Sequence, residues 1–211
     1  MEDKSVLQNP AADKQNLGDM VNLVDIRGNI VSTATKLDAH LGEGQLHLAF
    51  SVFLFTKSSN KVVLQKRASN KYHFPGKWAN ACCSHPRPGE EVVEAAQRRL
   101  GEELGLNTSL QEIGNFIYRA RCEQSSFVEY EFDHVIMGVV SEEDLLELNP
   151  SRTEIEDLVV VEPESLLKGE IFSVERSLVL KKEYQISYSD VAPWVLPALL
   201  VCEKRINIHS A

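Results

Sequence analysis

The six residues Phe50-Ser51-Val52-Phe53-Leu54-Phe55 limit the fold more than any other stretch, because five of them are apolar and no polar side is left to face water. A strand of that kind belongs inside a sheet. After the turn formers Ser58, Ser59 and Asn60, residues 62–65 are again rich in β-branched side chains, so a buried hairpin is expected over 50–55 and 62–65. From Pro88 on, Val92, Ala95, Ala96, Arg99, Leu100 and Glu103 recur at helical spacing, and Gly105 stands where a C-terminal glycine ends a helix, which predicts a helix over 90–104.

A first hairpin is expected over 21–25 and 30–32, turning at Arg27, Gly28 and Asn29, and a second pair of strands over 110–121 and 127–140. Short helices are expected at 141–148 and 164–169 around a strand at 156–161. A terminal helix is expected over 189–204 with its prolines in the early turns. This order gives a mixed sheet flanked by helices, an α+β fold layered as an α/β sandwich. Residues 20–211 are expected to form one domain after a polar tail over 1–19, which Pro10 and Gly18 interrupt.

Charge and cysteine usage narrow the function. The run 191–202 contains Pro193 and Pro197 and falls short of the roughly 20 residues of a membrane helix, so no membrane partner is expected. A net charge of -9 disfavours nucleic acid. Four cysteines without a secretion signal point to free thiols in a reducing compartment, the cytoplasm. Between Gly44 and Gly89, however, stand Lys57, Lys61, Lys66, Arg67, Lys71, Lys77 and Arg87 with no Asp or Glu. Such an island is either a solvated basic face or a grip for a small anion, since an acidic protein must concentrate positive charge locally to hold one.

Residues two apart on a strand share a face, so Glu129 and Glu131 can converge, as can Cys83 and His85 if their segment is extended. With His40 and His47 bracketing a loop that contains Gly42 and Gly44, three imidazoles and two carboxylates could hold one divalent cation such as Zn²⁺ or Mn²⁺. The plain alternative for each is an ordinary polar surface residue.

From Ser84 to Leu106 the sequence resembles a Nudix box, G-x5-E-x7-R-E-U-x-E-E-x-G-U. Ser84 replaces the first Gly, Glu90 and Arg98 match, Arg99 replaces the next Glu, and Leu100, Glu102, Glu103, Gly105 and Leu106 match. Arg98 with Glu102 and Arg99 with Glu103 also fit ordinary i,i+4 ion pairs. The runs Leu46-His47-Leu48-Ala49-Phe50-Ser51, Phe74-Pro75-Gly76-Lys77-Trp78, Asn80-Ala81-Cys82-Cys83-Ser84-His85-Pro86 and Glu129-Tyr130-Glu131 resemble those of the metal-dependent isopentenyl diphosphate isomerases, a family with a Nudix-like fold; the likeness runs from about Val21 to Trp194.

The resemblance implies a site. Cys83 and Glu131 match the catalytic cysteine and glutamate, with Tyr118 beside them. His40, His47, His85, Glu129 and Glu131 match the ligands of one divalent metal, Mn²⁺ or Zn²⁺ with Mg²⁺ as an alternative. Glu103 and the backbone at Cys83 match the surroundings of a Mg²⁺ carried by the substrate diphosphate. Lys36, Arg67 and Lys71 match residues that grip the diphosphate, Arg99 takes a supporting place, and Tyr118 and Trp194 match aromatics beside the isoprenyl group. Cys82 reads as a small buried residue.

The implied partner is a small isoprenoid diphosphate, acted on by a monomer or weak dimer. Double-bond transfer needs two proton-active groups, with Glu131 and Tyr118 expected to supply a proton and a Cys83 thiolate, favoured by nearby cations, to take one; the roles can reverse. A Nudix hydrolase of a nucleoside diphosphate derivative is the alternative, opposed by Arg99, and a silent binding scaffold is a third reading.

Overall fold

The structure is a computed structural model; it describes residues 18–209 except positions 72, 124, 126 and 170, with side-chain surroundings as far as Lys204. Most of the expected tail therefore lies outside the described residues. Its last member, Asp19, accepts the Lys36 N–H at 2.7 Å.

Strands β1 (Met20–Val24) and β2 (Ile30–Thr35) form the first expected hairpin. Next comes α1 (Lys36–His40), a single turn missed in the sequence, which starts where the Thr35 hydroxyl accepts the Asp38 N–H at 3.1 Å. Strand β3 (His47–Thr56) is longer than expected and buried at all ten positions. Strand β8 (Val128–Val140) lies parallel to it, from His47 opposite Glu131 to Thr56 opposite Val140.

Strand β4 (Val62–Arg67) meets β3 only at Phe55 and Val62, so the expected hairpin exists at its turn and then splays. The reason is competition for the edge. β6 (Cys82–Ser84) pairs with β3 from Phe50 to Val52, while β4 takes β5 (Trp78–Asn80) and β9 (Ile155–Val161) as partners. Strand β7 (Leu110–Arg121) completes the mixed sheet on β8, and β10 (Phe172–Val174) pairs with β11 (Tyr184–Ile186) apart from it.

Helices cover both faces, as an all-apolar strand demands. Phe50, Val52 and Leu54 pack with Ala95, Ala96, Leu100 and Leu104 of α2 (Val92–Leu104). Phe53 and Phe55 belong to the opposite core with Trp194, Val195, Ala198 and Leu199, at the start of α5 (Val195–His209). Cutting a fully buried Leu100 or Leu104 to Ala removes about 2–5 kcal/mol. Short helices α3 (Glu142–Glu147), closed by a capping box at Ser141, and α4 (Pro163–Leu167) fall where expected within two residues.

The terminal helix starts later than the pattern suggested. Residues Tyr188–Asp190 form a 3-10 turn, Val191 bridges Trp78, and the Ala192 N–H donates to the Trp78 carbonyl at 2.8 Å. Pro193 disfavours a helical Ala192, so this segment stays extended and tied to β5.

Candidate active site

The sheet itself aligns the chemistry. Register sets His47 on β3 beside Glu131 on β8, Tyr118 on β7 beside Glu131, and Ser51 on β3 beside Cys83 on β6. Glu129, Glu131 and Asp133 alternate along β8, so their side chains share one face. Helix α1 brings in His40, and His85 follows β6. The loop between His40 and His47 needs Gly44, whose φ is +71° and whose added Cβ would meet Val128 Cγ1 at 2.9 Å.

One ligand atom each from His40, His47, His85 and Glu131 lies within 4.8 Å of all the others. His40 Nδ1 is 2.6 Å from the Lys36 carbonyl and His47 Nδ1 is 2.7 Å from the Gln45 carbonyl. A carbonyl can only accept, so both Nδ1 atoms carry hydrogen and both Nε2 atoms turn inward as potential ligands. His85 Nε2 stands 3.1 Å from His47 Nε2 and 3.1 Å from Glu131 Oε1. Burial lowers the His85 ring to about 3, with the Glu131 hydrogen bond opposing it, so that imidazole is neutral. Inward-facing imidazole nitrogens with a carboxylate suit a divalent metal. Glu129 stands just outside this set, with Oε2 3.2 Å from His40 Nε2 and Oε1 3.0 Å from His73 Nε2. His73 was not singled out in the sequence.

Burial and the Glu129 charge push the Glu131 carboxyl up, but the His47 and His85 rings beside it outweigh them and hold it below its usual range. The Tyr118 hydroxyl donates to Glu131 Oε2 at 2.5 Å, and burial together with the Glu131 charge keeps that phenol protonated.

Across the cleft, the Cys83 thiol donates to Asn80 Oδ1 at 2.8 Å, and the Trp194 indole N–H points to Cys83 Sγ at 3.2 Å. Burial, then the Asp133 charge, pushes the thiol far up; Arg67 opposes them and loses. The thiolate expected at Cys83 runs against this upward push, which Arg67 opposes without reversing. Cys82 is fully buried, as expected, and none of the four cysteines is in a disulfide.

Lys36, Arg67, Lys71, Arg87, Arg98 and Arg99 line the same cleft as Cys83, Glu131, Tyr118 and Trp194. Arg67 is fixed from behind: its guanidinium donates to the Phe74 carbonyl at 3.2 Å and the His73 carbonyl at 3.1 Å, and lies 5.6 Å from the Trp194 ring centre. Lys71 pairs with Glu154 at 2.8 Å. Arg99 binds Glu102 at 2.8 Å and the buried Glu103 at 2.5 Å, and lies 3.8 Å from Glu154. Elsewhere in the basic island, Lys61 pairs with Glu162 and Lys66 with Glu156. The island is thus divided between cleft-lining residues and residues paired on the surface.

A NUDIX domain model matches residues 45–181. The isopentenyl-diphosphate Delta-isomerase of Halorhodospira halophila is 50% identical over 118 residues, covering 56% of this chain and 67% of that protein. Isopentenyl-diphosphate Delta-isomerase 2 of Photorhabdus laumondii is 44% identical over 133 residues, 63% of this chain and 73% of that one. The chain belongs to the isopentenyl-diphosphate Delta-isomerases. Solved structures agree on the fold alone: a Deinococcus radiodurans protein superposes with a TM-score of 0.56 at 21% identity, over 71% of this chain and 87% of that one. The MutT protein of Methanosarcina mazei gives 0.55 at 14% identity, over 76% and 94%.

In this isomerase the Nudix-box positions have become largely architectural. Arg98 holds Glu90 through two parallel contacts of 2.7 and 2.8 Å, and the two i,i+4 pairs of α2 are both present. The residues that sequence reasoning passed over are Ser51, His73, Asn80, Asp133 and Glu154. Ser51 and Asn80 lie within quoted runs, and Asp133 had a signal of its own, since it continues the two-residue period of Glu129 and Glu131.

Proposed function

We infer that this chain interconverts isopentenyl and dimethylallyl diphosphate, as a single catalytic unit over residues 20–211. It works in the cytoplasm as a monomer or weak dimer. The observation that carries the reading is one cleft lined by a thiol, a tyrosine-bound carboxylate, an inward-facing imidazole cluster and a set of guanidinium and ammonium groups. A hydrolase needs none of the thiol arrangement. Among the described residues no helix is long and apolar enough to cross a membrane.

His40, His47, His85 and Glu131, with Glu129 beside them, would hold one divalent ion, Mn²⁺, Zn²⁺ or Mg²⁺; when bound it supplies a fixed positive charge that anchors Glu131 and sharpens the acidity of its neighbours. A diphosphate accompanied by Mg²⁺ enters at the other end, where Lys36, Arg67 and Lys71 bind its oxygens, Arg99 supports them and Glu103 faces the ion. The isoprenyl chain is then held beside Tyr118 and Trp194, whose ring centres lie 6.1 Å apart.

The reaction makes one C–H bond at the terminal methylene and breaks one at the methylene next to the carbinol carbon, while the double bond moves between. Cys83 and Glu131 face the cleft as the two proton-active groups. An unactivated alkene is a very weak base, so the donor must be a strong acid: a carboxyl held low fits that part better than a thiol pushed up, which leaves Glu131 with Tyr118 to give the proton and Cys83 to receive one, the roles first expected. The tertiary cation between the two steps gains about 2 kcal/mol from the Trp194 face, and exclusion of water by the buried walls must supply more.

Incubation with isopentenyl diphosphate and a divalent metal, followed by NMR, should give dimethylallyl diphosphate without free phosphate; phosphate without isomer would sink the reading. In deuterated solvent, Cys83→Ala should still place deuterium on the terminal carbon without isomerising, whereas Glu131→Gln should place none. The opposite pattern would reverse the two roles.

A further inference from the structure

Asn80 is fully buried on β5, yet it makes four hydrogen bonds of two kinds. Its amide nitrogen donates to the Val52 carbonyl at 3.0 Å and the Cys82 carbonyl at 2.8 Å. Two carbonyls can only accept, so the NH₂ group must face them and the carboxamide oxygen must face the other way. There it receives the Cys83 S–H at 2.8 Å and the Trp194 indole N–H at 3.0 Å. An indole N–H can only donate, which makes this orientation the one that satisfies every partner.

We propose that Asn80 is the positioning residue of the reaction centre, its single carboxamide oxygen holding the Cys83 thiol and the Trp194 ring in fixed relation to each other. This rests on reading Cys83 and Trp194 as reaction-centre groups. Of the thiol's other neighbours, the Trp194 indole N–H is 3.2 Å from the sulfur and shared with the Asn80 oxygen, while the Ser51 hydroxyl is 3.7 Å away and directed to Asp133 at 2.8 Å, so it holds the sulfur loosely. The Lys71 ammonium pairs with Glu154, and the Arg67 guanidinium, which lies over the Trp194 ring, is held separately by the Phe74 and His73 carbonyls. Loss of the Asn80 oxygen therefore disturbs the chemical step more than the grip on the diphosphate.

The test uses the metal-loaded full chain. Asn80→Ala is expected to lower kcat for isopentenyl diphosphate by about 100-fold, the cost of a misplaced reacting group, with KM changed less than about threefold and bound metal unchanged. Asn80→Asp keeps an oxygen acceptor and should recover part of that loss. A purely structural role would instead lower the amount of folded protein while leaving kcat per folded molecule intact, and that result would overturn the proposal.

If neither variant folds, the infrared S–H stretch of the wild-type protein decides, identified by difference against Cys83→Ala. A band lowered from the free-thiol frequency, and lowered further in Trp194→Phe, where the oxygen has one donor left, supports the assignment; a free-thiol band overturns it. Full isomerase activity in Cys83→Ala would sink the underlying reading of the thiol while leaving the infrared result standing, so the two failures are distinguishable.

Discussion

The two ends of the cleft are built on opposite electrostatic plans. At the imidazole end, buried carboxylates and histidine rings crowd together, with His47 and His85 nitrogens only 3.1 Å apart. That crowding is relieved by adding a cation. At the anion end, Lys71 and Arg99 are already neutralised by Glu154, Glu102 and Glu103. A protein can keep cations poised in a dry cleft only by giving them internal counterions, because an isolated buried charge is costly. One end thus waits for a positive charge and the other must exchange one negative partner for another.

The largest test of this contrast removes a ligand from the waiting end. His47→Ala should weaken retention of the divalent metal by more than about 100-fold, read as metal content after dialysis. Unchanged content would erase the distinction between the ends. Next in size, Glu131→Gln should lower kcat by about 10²–10⁴-fold, measured by the NMR assay. At the anion end, Lys71→Ala should raise KM by about tenfold with kcat nearly constant, the loss expected for one charge-assisted hydrogen bond.

The smallest expected effect concerns stability in acid. Burial raises the Glu154 carboxyl, but the Lys71 charge and hydrogen bond, with Arg99 behind them, bring it down to about 2. Its folded pKa lies below its unfolded value near 4.5, so its contribution is complete above that value and is lost as pH falls toward 2. Denaturant titrations of wild type and Lys71→Met should converge across that window and separate above it. A constant gap at every pH would show that the pair holds no charge-dependent stability.

How much of this could be read from the sequence depends on the range of the interaction. Helix α2 announces itself through apolar spacing and Gly105, and β3 and β8 through long apolar runs. Strands β5 and β6 have three residues each and α1 five, too few for a period to show. The paired glutamates of β8 were legible because strand geometry makes a local pattern into a shared face. Glu154 was not, since its meaning depends on Lys71, 83 positions away, and nothing in its own neighbourhood marks it. Asn80 lay inside a noticed motif, but its orientation depends on carbonyls from another strand. The surroundings of the Cys83 sulfur were not legible for a related reason: Asn80, Trp194 and Asp133 reach it from separate elements of the fold.

Burial of β3 at all ten positions also has a consequence for the chain during its synthesis. Its parallel neighbour β8 lies far downstream, with Ser51 and Asp133 separated by 82 positions. Until β8 leaves the ribosome, β3 offers an open, uncharged strand edge of the kind that recruits other chains, and in this isomerase the segment that completes the active site is also the one that closes that edge.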